Sequence, residues 1–276
     1  MTWTRLMKID ERIIYIVATI AVIFPMFVPI GFPVSKDAEA VAMYELLSSL
    51  PAGTNIIYSF DCEAVATTEI KPSVEVLFDL SYKLNHNIFM MSFNVQGMPL
   101  ARVWTDPVFA RNGAVYGEDW IDLGYIEAAN SFLEIGRSDL LSAWNNQDYT
   151  GKPLTSFPIM ANVKKASDIN LVVSFHSNVP GWSNYVNSWY ATDEVKMVAT
   201  VVSAINTPGA LSSYNSGLLK GLVNGLNGAA TLEAMHGAPG SAHSNSDAQS
   251  IAHLAIIGFV IIGNIAYFGA KKAGEL

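Results

Sequence analysis

The sequence predicts an α/β protein: a small doubly wound (Rossmann-like) parallel sheet of about four strands, flanked by two transmembrane helices. Three observations carry this. Two long apolar segments without Lys, Arg, Asp or Glu lie near the chain ends, four short runs between them are almost continuously apolar, and helical patterns separate those runs. Nearly continuous apolar runs mark strands covered on both faces, and strands alternating with helices imply right-handed crossovers in a parallel sheet.

Composition agrees. The 276 residues are 51% hydrophobic and only 14% charged, with a mean hydropathy of +0.29. A soluble domain carries about 25% charged residues. The first apolar segment, 13-IIYIVATIAVIFPMFVPIGFPV-34, is long enough to cross a hydrocarbon core of about 30 Å. Pro25, Pro29 and Pro33 crowd its second half and predict a helix regular to about Phe24, then kinked or unwound. It exceeds a usual signal-peptide core and lacks an A-x-A-like site before Ser35, which favours a retained anchor over a cleaved leader. The second segment, 251-IAHLAIIGFVIIGNIAYFGA-270, ends at Lys271 and Lys272 and reads as a span rather than a buried core helix. Arg5, Lys8 and Arg12 precede the first segment, and Lys36 is the only base near the inner ends of the two. The positive-inside rule then predicts cytoplasmic tails at 1–12 and 271–276 in a cell-membrane protein, with residues 35–235 forming an extracytoplasmic domain. The net charge of −8 and the lack of a basic cluster exclude nucleic acid as a partner. A single cysteine, Cys62, rules out an internal disulfide. With no disulfide and no N-x-[ST] sequon, a prokaryotic source is favoured.

The predicted strands are 55-NIIYSFD-61, 87-NIFMMSFN-94, 170-NLVVSFHS-177 and 195-VKMVATVV-202, in the order 2-1-3-4. A helix opened by Pro72 covers 72–85, with Val74, Leu77, Phe78, Ser81 and Leu84 on one face. An insert at 97–169 is broken by Gly97, Pro99, Pro107, Gly113 and Gly117 into short helices and turns. In 180–191, Trp182, Tyr185, Val186, Trp189 and Tyr190 repeat at helical spacing and read as a face packed on the sheet. Residues 236–250 read as a flexible linker, with Ser246 or Asp247 capping the final helix.

Gly217, Gly221 and Gly225 recur every four residues, and Gly228 follows. That spacing predicts a helical stripe for close backbone approach. Lys220, Asn224, Asn227 and Glu233 argue against a membrane span there. Packing on the same domain, a contact with another subunit and a glycine-rich loop all remain open for this stretch. In the second span Gly258 lies among other small residues, and Asn264 needs a polar partner, naturally on a neighbouring helix.

Ligands of open α/β sheets bind beyond the carboxyl ends of the strands. The candidate ligand site there is Asp61, Cys62, Asn94, His176 and Ser203. A Cys62–His176 pair is the core of a thiol nucleophile site; against it, a lone cysteine is usually a small buried apolar residue, and no signature surrounds this one. His86, His176, His236, His243 and His253 show no paired metal-ligand spacing. Asp61, Glu63 and Asp122 match no cation-loop consensus. The phosphate-loop, dinucleotide and G-x-S-x-G motifs are missing. No metal, cofactor or catalytic residue is therefore expected, and the enzyme reading is weakened. The expected function is a structural or accessory subunit of a homo- or hetero-oligomeric membrane complex. It would assemble through Gly217, Gly221, Gly225 and Gly228, and through Gly258 and Asn264 in the bilayer. The competing reading is a membrane-anchored ligand-binding or thiol-hydrolase-like domain.

The two terminal anchors, 116-YGEDWIDLGY-125, 217-GLLKGLVNGLNGAATLE-233 and 247-DAQSIAHL-254 cover about a third of the chain. On these features the chain resembles a group of uncharacterised prokaryotic membrane proteins with the same layout. The resemblance implies the architecture, and no functional residue comes with it.

Overall fold

The computed structural model describes residues 3, 9–28, 30–32 and 36–274. Two compact units result: Met1–Val34 with Gly240–Leu276, and Ser35–Pro239. The helices are α1 (Glu11–Phe27), α2 (Ala38–Ser49), α3 (Thr67–Lys83), α4 (Gly97–Asn112), α5 (Ala129–Gly136), α6 (Leu140–Ala143), α7 (Trp182–Tyr185), α8 (Thr207–Asn215), α9 (Gly225–His236) and α10 (Ser241–Ala273). The strands are β1 (Asn55–Ser59), β2 (Asn87–Ser92), β3 (Trp120–Tyr125), β4 (Leu171–His176), β5 (Met197–Val202) and β6 (Gly221–Asn224).

The larger unit is an α/β sandwich around one six-stranded sheet in the order β3-β2-β1-β4-β5-β6. All five pairings are parallel. The four predicted strands form its centre in the predicted relative order, but the sheet has six strands, not four. Side chains alternate between faces along a strand. Ile56, Tyr58, Met90, Val173 and Val201 pack under α2, α3, α4 and α9. Ile57, Phe89, Val172, Val198 and Leu222 pack under α5 to α8. Both faces are covered, which is why the central strands read as unbroken apolar runs.

The helices depart from expectation in two places. α3 starts at Thr67, so Pro72 lies inside it rather than at its first turn. The predicted insert is ordered: α4 runs through Pro107 for 16 residues and stops at Gly113 in the left-handed region (φ 71°), and β3 follows. In the aromatic stripe, Tyr185, Val186 and Trp189 are buried.

The glycine stretch is not one helix. Gly217 turns the chain after α8 at φ 79°, Gly221 opens β6, and Gly225 starts α9 at φ 51° with Gly228 in its first turn. A Cβ on Gly221 would lie 2.6 Å from Met43 Sδ, and one on Gly228 would lie 2.9 Å from the Val223 side chain. These two close approaches are therefore made inside the domain.

In the smaller unit α1 and α10 pack together. The 33-residue α10 is, among the described residues, the one helix long and apolar enough to cross a membrane; α1 has 17 residues. The segment predicted as a span over 13–34 is thus helical only to Phe27. Asp10 caps α1 by accepting from Arg12 N. The predicted flexible linker is short, because α10 begins at Ser241. Asp247 therefore lies inside the helix and is not its cap. Its buried carboxylate accepts from the backbone N–H groups of Ile30 (2.9 Å), Gly31 (2.9 Å) and Phe32 (3.1 Å). The Asn264 amide donates to Val260 O of its own helix at 2.7 Å, not to a neighbouring helix. A Cβ on Gly258 would meet nothing within 4 Å, whereas Gly269 lies against the Trp3 indole.

Candidate functional site

β1 and β4 are adjacent, and the strand order reverses between them. Such a switch point opens the crevice in which doubly wound sheets bind ligands. Asp61 fills it here. Its carboxyl is fully buried; Oδ1 accepts from Ser59 Oγ (2.9 Å) and Phe93 N (3.0 Å), and Oδ2 from Ser174 Oγ (2.9 Å). Tyr185 OH donates to Ser59 Oγ at 2.9 Å, and Thr200 Oγ1 donates to Ser174 O at 2.8 Å. Burial pushes the Asp61 carboxyl up to about 6 against the opposing pull of its three hydrogen bonds.

The loops above Asp61 are tied to one another. Ser177 N donates to Asp61 O (3.1 Å), Glu63 N to Ser177 Oγ (2.9 Å), and Asn178 Nδ2 to Glu63 Oε1 (3.0 Å). Towards β2, Ser92 Oγ donates to Phe60 O (2.7 Å), and Ala64 N to Gln96 Oε1 (3.2 Å). Gly97 packs so closely there that a Cβ would overlap Phe60 O.

Cys62 and His176 both lie at this edge, but no hydrogen bond joins them. Burial, then the nearby Asp61 and Glu63 charges, pushes the Cys62 thiol far up. Burial pushes His176 down to about 4; its Nδ1 has no partner and lies against Gly181. A thiol nucleophile needs a depressed thiol beside a base that takes its proton, and the environment here favours the protonated thiol. Ser203 N donates to His176 O (3.2 Å), and Ser203 Oγ accepts from Asn206 Nδ2 (3.0 Å). Asn94 Oδ1 accepts from Gln96 N (2.9 Å) and shapes the turn after β2. Sequence reasoning missed Ser59, Ser174 and Tyr185 as the surroundings of Asp61. The available signal was a serine inside each of two apolar runs, and these serines are paired in register.

The same edge has two further features. Its loops expose Val65 (88%), Val95 (67%), Val179 (71%) and Ile205 (86%), one after each of β1, β2, β4 and β5, and Tyr125 (44%) is the last residue of β3. Two adjoining clefts of about 370 Å³ each lie between α5 with its leading loop and the 180–188 segment, sharing Asn130 and Asn184.

A separate polar cluster joins the helices of the other layer. Asp79 on α3 accepts from His236 Nε2 (2.7 Å), Lys83 Nζ (2.6 Å), Asn112 Nδ2 (2.8 Å) and Arg111 Nη2 (3.1 Å). Burial opposes its ionisation, but these donors together hold the carboxyl well below its ordinary range. Tyr44 OH lies 3.3 Å from His236 Nδ1. The cluster pins α2, α3, α4 and α9 to one another. Among the described residues no group of three or more His, Cys, Asp or Glu is placed to hold a metal ion. No protein-family profile, no curated protein and no solved structure matches the chain.

Proposed function

We propose that this chain is a membrane-anchored accessory or structural subunit whose α/β domain meets a partner protein through its carboxyl edge. One observation carries the reading. The switch-point crevice is filled by Asp61 and its hydrogen-bonded loops, while that edge turns five apolar side chains to solvent. Single exposed apolar residues are ordinary; one on each of four loops along one edge, with Tyr125 at the end of β3 beside them, gives a contact surface. The loop residues 60–66, 93–96, 126–128, 177–181 and 203–206 contain no Lys or Arg, which favours a protein over a polyanion. The thiol-hydrolase reading has the raised Cys62 thiol and its missing link to His176 against it.

The anchor belongs to the same proposal. Ile16, Ile20 and Phe27 on α1 and Ile257, Val260 and Phe268 on α10 are exposed, a surface suited to lipid. We place both helices in the bilayer with both termini cytoplasmic, supported by the flanking bases. At 1.5 Å per residue α1 reaches about 26 Å, close to the hydrocarbon thickness.

The test is the mass and composition of the particle released from native membranes in mild detergent. The expected result is an assembly well above the 29.9 kDa chain. The Val65→Asp, Ile205→Asp double variant should fold and lose its partner, since neither side chain supports the core. A wild-type chain that elutes alone, or a double variant that keeps its partner, overturns the proposal.

A further inference from the structure

We propose that the paired clefts beside α5 bind a neutral saccharide. Asn184 is held in place, its Oδ1 accepting from Gly181 N at 3.1 Å, and its Nδ2 reaches Asn130 Oδ1 at only 3.4 Å. Among the described residues the Asn130 amide nitrogen and the side chains of Asn187, Ser183 and Ser131 make no hydrogen bond, and all four residues line the clefts. A carboxamide offers two donors and an acceptor, and a hydroxyl offers one donor and acceptors. Such a row complements neighbouring sugar hydroxyls, each of which also donates and accepts.

The rest of the lining excludes other ligand classes. Its only ionisable side chains are Glu127 and Glu134, so phosphates, carboxylates and nucleotides meet like charge. Its one large aliphatic residue, Leu133, is buried, which leaves no pocket for the apolar anchors that peptides and most cofactors use. Each cleft is near the small end of the ligand-site range, about 300–1,000 Å³. Their junction at Asn130 and Asn184 suits linked sugar rings.

The test uses the full chain in phospholipid nanodiscs, because maltoside detergents would supply a competing sugar. Saturation-transfer NMR is run against a panel of neutral mono- and oligosaccharides, with inorganic phosphate and a neutral peptide as controls. The expected result is transfer to at least one neutral saccharide, with affinity about ten-fold lower in Asn130→Ala or Asn187→Ala. Both substitutions keep the Gly181 N–Asn184 Oδ1 bond that holds the loop; Asn130→Ala gives up only the long 3.4 Å bond from Asn184, and Asn187→Ala serves as the variant that leaves both in place. The Val65→Asp, Ile205→Asp variant should keep its saccharide signal, which separates this proposal from partner docking. No transfer to any saccharide, undiminished transfer in both Asn variants, or stronger transfer to the peptide or phosphate overturns it.

Discussion

Asp61 and His176 sit at one sheet edge and titrate in opposite senses. Asp61 is raised from 3.8 to about 6 by burial, so the folded state holds its proton longer than the unfolded chain does. Its contribution to stability is full below about pH 4 and falls as pH rises through 6, by about 3 kcal/mol in all. His176 is lowered from 6.5 to about 4, so its contribution is full above pH 6.5 and is lost as pH falls through 4. Between pH 4 and 6 the two nearly cancel. Asp61→Asn mimics the protonated acid: its oxygen accepts from Ser59 and Phe93 and its amide donates to Ser174. The variant should match or exceed wild-type stability at pH 8. It should also uncover the His176 limb, a rise of about 3 kcal/mol from pH 4 to 6.5. Denaturant titrations across that range decide it. A variant weaker than wild type at pH 8, with the wild-type pH profile, would mean that Asp61 is held ionised.

Among the elements, the glycines separate close backbone contact from mere flexibility. Gly97 starts α4 against the Phe60 carbonyl, and a rigid backbone atom cannot move aside for a methyl group. Gly209 lies in α8 with open space around it and an ordinary φ. Gly97→Ala should cost about 1–3 kcal/mol or more by overpacking, whereas Gly209→Ala should gain about 0.5–1 kcal/mol by helix propensity. Equal shifts in the two melting curves would refute the close approach. Burial also decided which strands were legible. β1, β2, β4 and β5 are covered on both faces and announce themselves as apolar runs. β3 holds Asp122, whose charge is met by Arg102 Nε at 2.7 Å from α4, so WIDLGY does not read as a buried strand. β6 has four residues, two of its glycine neighbours fall at helical spacing, and that period masked the strand.

Over the whole molecule, local patterns were legible and long-range polar pairings were not. The strand ends located Asp61 and His176, but nothing near Asp61 in sequence announces Ser174. Asp247 is the extreme case. It reads as a helix cap, yet its acceptors serve backbone groups more than 200 positions away. Three successive N–H groups converge on one buried carboxylate, an arrangement worth more than a neutral hydrogen bond because the acceptor is charged. Gly31, at φ 74°, gives the chain the turn that aims them. The contact joins the segment after α1 to the start of α10, so it governs whether the two helices act as one hairpin. Asp247→Ala removes every acceptor and leaves the three N–H groups without that partner, so the segment should detach from α10. Asp247→Asn keeps one carbonyl oxygen and should fall between. Limited proteolysis of the chain in nanodiscs reads this directly: cleavage within 30–32 should be slow in wild type, faster in Asp247→Asn and fastest in Asp247→Ala. Identical cleavage in all three would mean that helix packing alone holds the hairpin, and that the carboxylate is dispensable to it.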